Sequence, residues 1–534
     1  MKETRVFLGN APWYKTGYYG VRAGSRWPHF EKESIDYYPF PFFLAYAHAL
    51  LEKKSFPTLL IDAVPEHLSE SVFLDHISHF QPDIVLLETS TASLLTDLHI
   101  AKEIRQINNH CTIVFCGPHY HMYKEQFLKD HPVVDMVLVG EYEFTLLDIA
   151  CAYENNESCD NIPGILYRDK KNNTVKKTPP RPLVKDIDQF PWPSRDHLPM
   201  AKYQDYLCGI PQPSLQMWAS RGCPYQCSFC FWPHVMYNSS VYRLRSPEDI
   251  LNEIDHCLKT YPIRSVYFDD DTFNINKEHV MAIAQGFIDR HWDIPWGIMA
   301  RADHMDEEML EKLAESNLWG VKYGIESGVQ KIVDQCGKKL DLQKVRRICR
   351  ITRESGIKMH LTFTFGLPGE TRDTALKTLD FALEMNPDSV QFSIATPFPG
   401  SRFYDEMQQN GRIISHEWEH YDGYNKAVIV TEHLAAHELE EIRRYADDIF
   451  STRDRLRRFY PRVYRRDQIE ALRPLLPELE ENRVKLNRFR KNRLKYFFKA
   501  LINPCWLIRK IREYIKHHQI QKKAGSYITK DSHE

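Results

Sequence analysis

The sequence predicts an α/β protein in three parts: an N-terminal Rossmann-like domain, a central open (β/α)6 barrel of the TIM type, and a C-terminal helical extension. Three observations predict it. Short apolar runs alternate with helix-period segments over residues 1–185, the pattern of a parallel sheet with helices on both faces. The alternation resumes over 213–430, where six strand candidates are spaced for βα units and right-handed crossovers. Between these stretches, residues 186–212 include Phe190-Pro-Trp-Pro, whose prolines favour extended backbone and mark a boundary. A length of 534 residues agrees with about three domains.

In the first part the strand runs are Val6–Leu8, Thr58–Ile61, Asp83–Leu87, Thr112–Phe115 and Met136–Val139. Leu98, Ala101, Ile104 and Ile107 repeat every three residues along one helix between the third and fourth runs. Ligands of such sheets bind beyond the carboxyl ends of the strands. Those ends read Glu88-Thr-Ser-Thr, Cys116-Gly-Pro-His and Gly140-Glu-Tyr-Glu, small and polar enough for a large flat ligand to approach the backbone. A plain doubly wound domain with loop glycines fits these residues equally well. Lys170–Lys177 and Pro179–Pro182 read as an exposed turn and connector.

In the second part Ser214–Trp218 leads into a cysteine loop, and runs at Val266–Phe268, Trp296–Ala300, Gly320–Ile325, Met359–Phe365 and Ser389–Ile394 follow. Six strands rather than eight suggest an open barrel, with functional groups at the C-terminal strand ends. The loop carries Cys223, Cys227 and Cys230 in a Cys-x3-Cys-x2-Cys pattern. Three thiolates this close can wrap one inorganic centre. They leave a [4Fe–4S] cube one iron short of full protein ligation, and that iron has an open position for chemistry. The spacing departs from the paired Cys-x2-Cys units of structural zinc. A structural zinc site or three unrelated buried thiols is the competing reading.

The cysteine loop, with Gly222 before it and aromatic residues around it, resembles the signature of radical S-adenosylmethionine (SAM) enzymes. An α/β domain directly upstream resembles the cobalamin-binding subfamily, as do Gly20–His29, the helix start at Tyr38-Pro-Phe-Pro and the turn Val139–Glu143. The resemblance implies three cofactors: a [4Fe–4S] cluster on Cys223, Cys227 and Cys230, SAM, and cobalamin. It implies SAM contacts from Phe229, Asp270, Arg301, Glu326, Ser327 and Thr396 at the loop and strand ends. An acidic turn or helix cap accounts for Asp269, Asp270 and Asp271 as readily as contact with an ammonium group. Corrin contacts are implied for Thr89, Ser90, Thr91, Gly117, Pro118, His119, Gly140 and Glu141. One departure stands out. The Asp-x-His-x-x-Gly motif that supplies histidine to cobalt in many cobalamin proteins is absent, since Asp97-Leu-His99 is followed by Lys102 where Gly should be. His99 therefore reads as a surface helix residue.

The activity this implies is methylation of an unactivated carbon through a 5′-deoxyadenosyl radical and methylcobalamin. Radical rearrangement or cyclisation without methyl transfer is the first alternative, and a non-catalytic corrin-binding or redox-sensing protein the second. Expected partners are a small-molecule, lipid or natural-product substrate and a flavodoxin- or ferredoxin-type electron donor.

Composition sets the remaining expectations. Net charge is −2, which gives no reason to expect a nucleic-acid partner. From Ser451 onward 23 Lys and Arg face 9 Asp and Glu, so this end carries +14 and the rest −16. Residues 431–534 read as helical. Their cations and aromatics suit peripheral membrane contact or an anionic partner, but Pro504 interrupts any long amphipathic helix, and a basic layer packed on the acidic barrel is favoured. Twelve scattered cysteines fit a reducing compartment. Neither a signal peptide nor a spanning helix is expected, so cytoplasm is the expected location. Cys111 and Cys116 read as core packing, and Cys336 as inert rather than a second methyl carrier.

Overall fold

A computed structural model describes residues 3–15, 18–20, 29–31, 37–169, 172, 174–205 and 207–459. Most of the Gly20–His29 string and the basic tail from 460 onward lie outside the described residues. The described residues up to Ile442 form one compact unit, and a second begins at Arg443, within the helix Ala436–Phe459. Among the described residues no helix is long and apolar enough to cross a membrane.

Seven strands build the first sheet: β1 (Val6–Asn10), β2 (Thr58–Asp62), β3 (Ile84–Glu88), β4 (Thr112–Cys116), β5 (Met136–Leu138), β6 (Ile165–Asp169) and β7 (Thr174–Lys177). Their order is β7-β6-β5-β4-β3-β1-β2. The five strands expected from the sequence are all present and pair in parallel. Strands β6 and β7 add an antiparallel edge. The second of these corrects the reading of Lys170–Lys177 as turn alone. Thr174, Lys176 and Lys177 are exposed, as on an edge strand, and a largely polar composition hid the strand.

Three of the helices in this part of the chain are α1 (Phe42–Lys53), α2 (Leu94–Ile107) and α3 (Glu143–Asn155). On α2, Leu98, Ala101 and Ile104 are buried as their spacing predicts, while Ile107 at the helix end is exposed. His99 points outward and bonds Glu70 Oε1 at 3.0 Å, as expected of a surface residue.

The second sheet is β8 (Ser214–Met217), β9 (Ser265–Phe268), β10 (Trp296–Ala300), β11 (Leu318–Glu326), β12 (Lys358–Phe365) and β13 (Ser389–Ile394). All pairs are parallel and the spatial order follows the chain, so β8 and β13 remain the two edges of an open barrel. Period-two alternation sorts β12 cleanly. Met359, Leu361, Phe363 and Phe365 are buried, while Lys358, His360, Thr362 and Thr364 form the half-buried other face.

After β12, Thr371 caps the helix Arg372–Met385 in a reciprocal capping box with Thr374. Its neighbour Glu370 is wholly buried and accepts a hydrogen bond from the Gly366 amide. Burial pushes its carboxyl up to about 8. The folded protein therefore keeps a proton that the unfolded chain loses above the ordinary carboxylate range. Stability contributed here is full below about 4.5 and is lost as pH rises towards 8. Glu370→Gln should flatten the fall in melting temperature between pH 5 and 8, and a slope identical to wild type would contradict this.

The two sheets share an aromatic seam. Phe42 of α1 stacks on Trp218 with centroids 4.2 Å apart, and Phe43 meets the same ring edge-on at 5.1 Å. The Gln216 amide on β8 accepts from the Phe40 amide at 2.7 Å and donates to the Tyr38 carbonyl at 3.0 Å. In the segment between the sheets, Arg195 is buried against Glu253 at 2.9 Å, and Tyr203 donates to Asp62 at 3.0 Å. This connection is packed along its length, and both sheets lie in the one compact unit.

Candidate functional site

The cysteine loop leaves β8 and is held by the acidic turn after β9. Asp270 is fully buried; one carboxylate oxygen accepts from the Ala219 amide at 3.1 Å and the other from the Ser220 hydroxyl. Asp271 accepts from the Gly222 amide at 3.0 Å. Asp270 thus directs both oxygens to the loop's backbone and side chain. Gly222 adopts φ +92°, and a Cβ there would lie 2.1 Å from the Val241 carbonyl, so only glycine fits.

Further along, Tyr225 lies beneath the Arg301 guanidinium at 3.6 Å. Arg301 is tied to Asp303 at 2.7 and 3.0 Å and to the Lys338 carbonyl at 3.0 Å. Through the Tyr225 ring it braces the loop. The Ser228 amide donates to the Cys336 carbonyl at 2.8 Å. Cys336 itself is buried, donates to the Val333 carbonyl and has its thiol pushed up to about 12 by burial, as befits an inert residue. Cys111 and Cys116 are likewise buried in the first sheet's core.

Cys227 is buried, and Cys223 and Cys230 are half-buried. A lone zinc bound by thiolates at about 2.3 Å requires sulfurs roughly 4 Å apart. Among the described residues the three thiols do not all approach within 4.8 Å of one another.

Beside Cys230 a cavity of about 130 Å³ opens into the barrel, lined by Phe229, Trp232, Glu326, Thr364, Gln391 and Thr396 among others. Phe229, Glu326 and Thr396 were expected here. Glu326 sits at φ +72°, beside a register shift in β11, a conformation rarely adopted outside glycine. Lys338 donates to one of its oxygens at 2.7 Å and Thr364 to the other at 2.9 Å. Ser327 turns away from the cavity; its hydroxyl bonds Thr378 at 3.0 Å and accepts from the Val329 amide. It lies in the turn that precedes the helix Gln330–Gln335.

The other floor lies at the ends of β3 and β4. Gly117 has φ +111°, and a Cβ would meet the Thr89 carbonyl at 2.5 Å. His119 follows Pro118, is fully buried, and bonds Thr91 through Nδ1 at 3.1 Å. Burial pushes its ring down to about 3. Its Nε2 and the Thr89 hydroxyl are buried polar atoms without a protein partner, the mark of a site that another molecule completes. Ser90 bonds Ser93, which in turn bonds Asp97, so its hydroxyl belongs to a local turn network. Trp418, reaching in from beyond β13, lies against His119 at 5.1 Å.

Gly140 and Glu141 line a second, larger cavity of about 680 Å³ together with Tyr120, Tyr123, Met236 and Arg243. The Glu141 carboxylate is engaged by two arginines. Arg243 holds it in a bidentate pair at 2.6 and 2.8 Å, and Arg221 approaches at 3.3 Å. Arg221 also donates to Glu143 at 2.7 Å and lies over Phe190 at 4.4 Å and Tyr46 at 4.8 Å. The turn after β5 is thereby clamped to residues on either side of the cysteine loop. Glu141→Ala should destabilise the protein by about 3–5 kcal/mol, because the buried Arg243 loses its carboxylate partner while Arg221 keeps Glu143. Urea unfolding checks this, and a change below about 1 kcal/mol would contradict it.

Sequence reading missed Arg221, Arg243, Lys338, Thr364 and Trp418. Arg221 directly precedes Gly222-Cys223, and Lys338 belongs to the segment noticed only for Cys336. Thr362 and Thr364 carried a period-two signal that identifies the inner face of β12.

Comparison with known proteins agrees with this arrangement. Residues 219–382 match the radical SAM superfamily and residues 32–150 the B12 binding domain. An uncharacterized methyltransferase of Pyrococcus horikoshii is 30% identical over 76% of this chain and 86% of its own length. An anaerobic magnesium-protoporphyrin IX monomethyl ester cyclase of Rubrivivax gelatinosus is 25% identical over 76% of this chain and 70% of its own. Among solved structures, the cobalamin-dependent SAM radical enzyme OxsB, with aqua-cobalamin and SAM bound, aligns at TM-score 0.65 and 15% identity over 98% of this chain and 84% of that one. The radical SAM methyltransferase TsrM of Kitasatospora setae aligns at TM-score 0.60 and 17% identity over 77% and 75%. At such identities these two establish the fold.

Proposed function

The chain belongs to the cobalamin-binding radical SAM family, and on that premise we propose that it methylates an unactivated carbon of a small molecule. Its cofactors are a [4Fe–4S] cluster, SAM and cobalamin. When bound, the cluster supplies the electron that cleaves SAM to a carbon-centred radical, and the corrin supplies a transferable methyl group. One observation carries the reading: Glu141 and Glu143 tie the first sheet's ligand floor directly to Arg221 and Arg243 flanking the cysteine loop.

Cys223, Cys227 and Cys230 would hold the cluster, in a loop that Asp270 and Asp271 hold by hydrogen bonds and Arg301 braces through the Tyr225 ring. Phe229, Glu326 and Thr396 would wall SAM in the cavity beside Cys230. There Lys338 and Thr364 orient the Glu326 carboxylate towards donors on the ligand. Gly117 and Gly140, lacking Cβ, would let the corrin approach the backbone, and Thr89, Thr91, Pro118 and His119 would help to hold it. The limits that fit are 1–185 for the corrin domain and 213–430 for the barrel, with 186–212 joining them and 431–534 following. A flavodoxin- or ferredoxin-type donor and a cytoplasmic setting suit a reduced cluster and unpaired thiols.

The cyclase relative favours one second reading, radical cyclisation or rearrangement without methyl transfer. Product analysis after anaerobic reconstitution and reduction separates the readings. S-adenosylhomocysteine together with 5′-deoxyadenosine is expected. 5′-Deoxyadenosine alone would favour cyclisation, and neither product would mean a non-catalytic corrin protein.

A further inference from the structure

Apart from the cluster loop and the corrin floor, α1 and the connecting segment bring together another set of ligating side chains. His48 and Glu52 are four residues apart and share one face of α1. His197 faces them from the connection between the sheets. One nitrogen from each histidine and one Glu52 oxygen all lie within 4.8 Å of one another. Glu52 Oε2 is 3.2 Å from His48 Nδ1, and Oε1 is 3.3 Å from His197 Nε2. Ser194 Oγ sits among them, 2.8 Å from His48 Nδ1 and 2.9 Å from Glu52 Oε2.

The rest of the environment suits a cation. The far nitrogen of His48, Nε2, is 3.0 Å from Thr58 Oγ1. A hydrogen bond on the outer nitrogen fixes ring orientation and leaves the inner one as a donor, as around bound metals. His197 and Glu52 are 53% and 42% exposed, which opens the cluster to ions from solvent.

We propose that His48 Nδ1, Glu52 and His197 Nε2 form a binding site for a zinc-type divalent cation, with Ser194 Oγ or water completing four-coordination. Two imidazoles and a carboxylate suit zinc better than calcium or magnesium, which take all-oxygen sets. The ion would fasten the connecting segment to the last turns of α1, the helix whose first turn packs on Trp218 ahead of the cysteine loop.

The same atoms can close as a hydrogen-bonded clasp without an ion, and binding measurements separate the two. Untagged protein carrying its cluster and corrin is dialysed against buffered zinc, and metal content and zinc X-ray absorption are read. About one zinc per chain is expected, in a nitrogen and oxygen shell at about 2.0–2.1 Å. His197→Ala and Glu52→Gln should each weaken zinc binding at least about 10-fold, with iron and cobalt content unchanged. Both positions are half-exposed, so retained iron and cobalt report an intact fold. The proposal is overturned if wild-type protein takes up no zinc, if the zinc shows a sulfur shell, or if both variants bind like wild type.

Discussion

Replacing Cys227 by alanine is expected to reduce SAM cleavage to background while leaving corrin binding intact. Of the three cluster cysteines it is the most buried, and its loop is pinned on both sides: Arg301 stacks on Tyr225 before it, and the Ser228 amide bonds the Cys336 carbonyl after it. No neighbouring thiol can replace it, since Cys336 is turned into its own helix and bonded there. A cube left with two protein ligands is lost or degraded on reduction. The measurements are iron content, 5′-deoxyadenosine formation and the visible spectrum of retained cobalamin. Loss of corrin along with iron would show that the two floors are not separable sites.

Gly117→Ala should produce the reverse pattern. At φ +111° an alanine is strained, and its Cβ would overlap the Thr89 carbonyl at 2.5 Å, an atom of the opposing loop's backbone that cannot rotate away. Strain of about 2–3 kcal/mol corresponds to roughly 30- to 200-fold weaker corrin binding. Equilibrium dialysis with cobalamin reads the change, and iron content should match wild type. Corrin affinity within about 3-fold of wild type would remove Gly117 from the corrin floor.

Much of this architecture was legible in the sequence because strands announce themselves through apolar runs. The five parallel strands of the first sheet and all six of the barrel lie where such runs fall. Edge strand β7 escaped because Thr174–Lys177 has little to bury. The cysteine loop was readable from spacing alone. Individual ligand roles were less so, since a carboxylate's partner depends on what folding brings opposite it. Asp270 faces Ala219 and Ser220, and Glu141 faces Arg243, about a hundred residues away. Nothing local in either segment reports those pairings. At the strand ends near Glu326 and His119, the unusual backbone angles of Glu326 and Gly117 are likewise set by the fold rather than by local composition.

The clamp between Glu141, Glu143, Arg221 and Arg243 also bears on how such proteins can be recombined. A chimera that joins this barrel to a relative's corrin domain inherits two arginines placed for carboxylates in the donor's loop. Without matching acids, the hybrid buries positive charge beside its most oxygen-sensitive cofactor. The exchangeable module is therefore the domain together with the turn after its fifth strand, and the crossover point belongs at the charge pair rather than in the proline-rich connection.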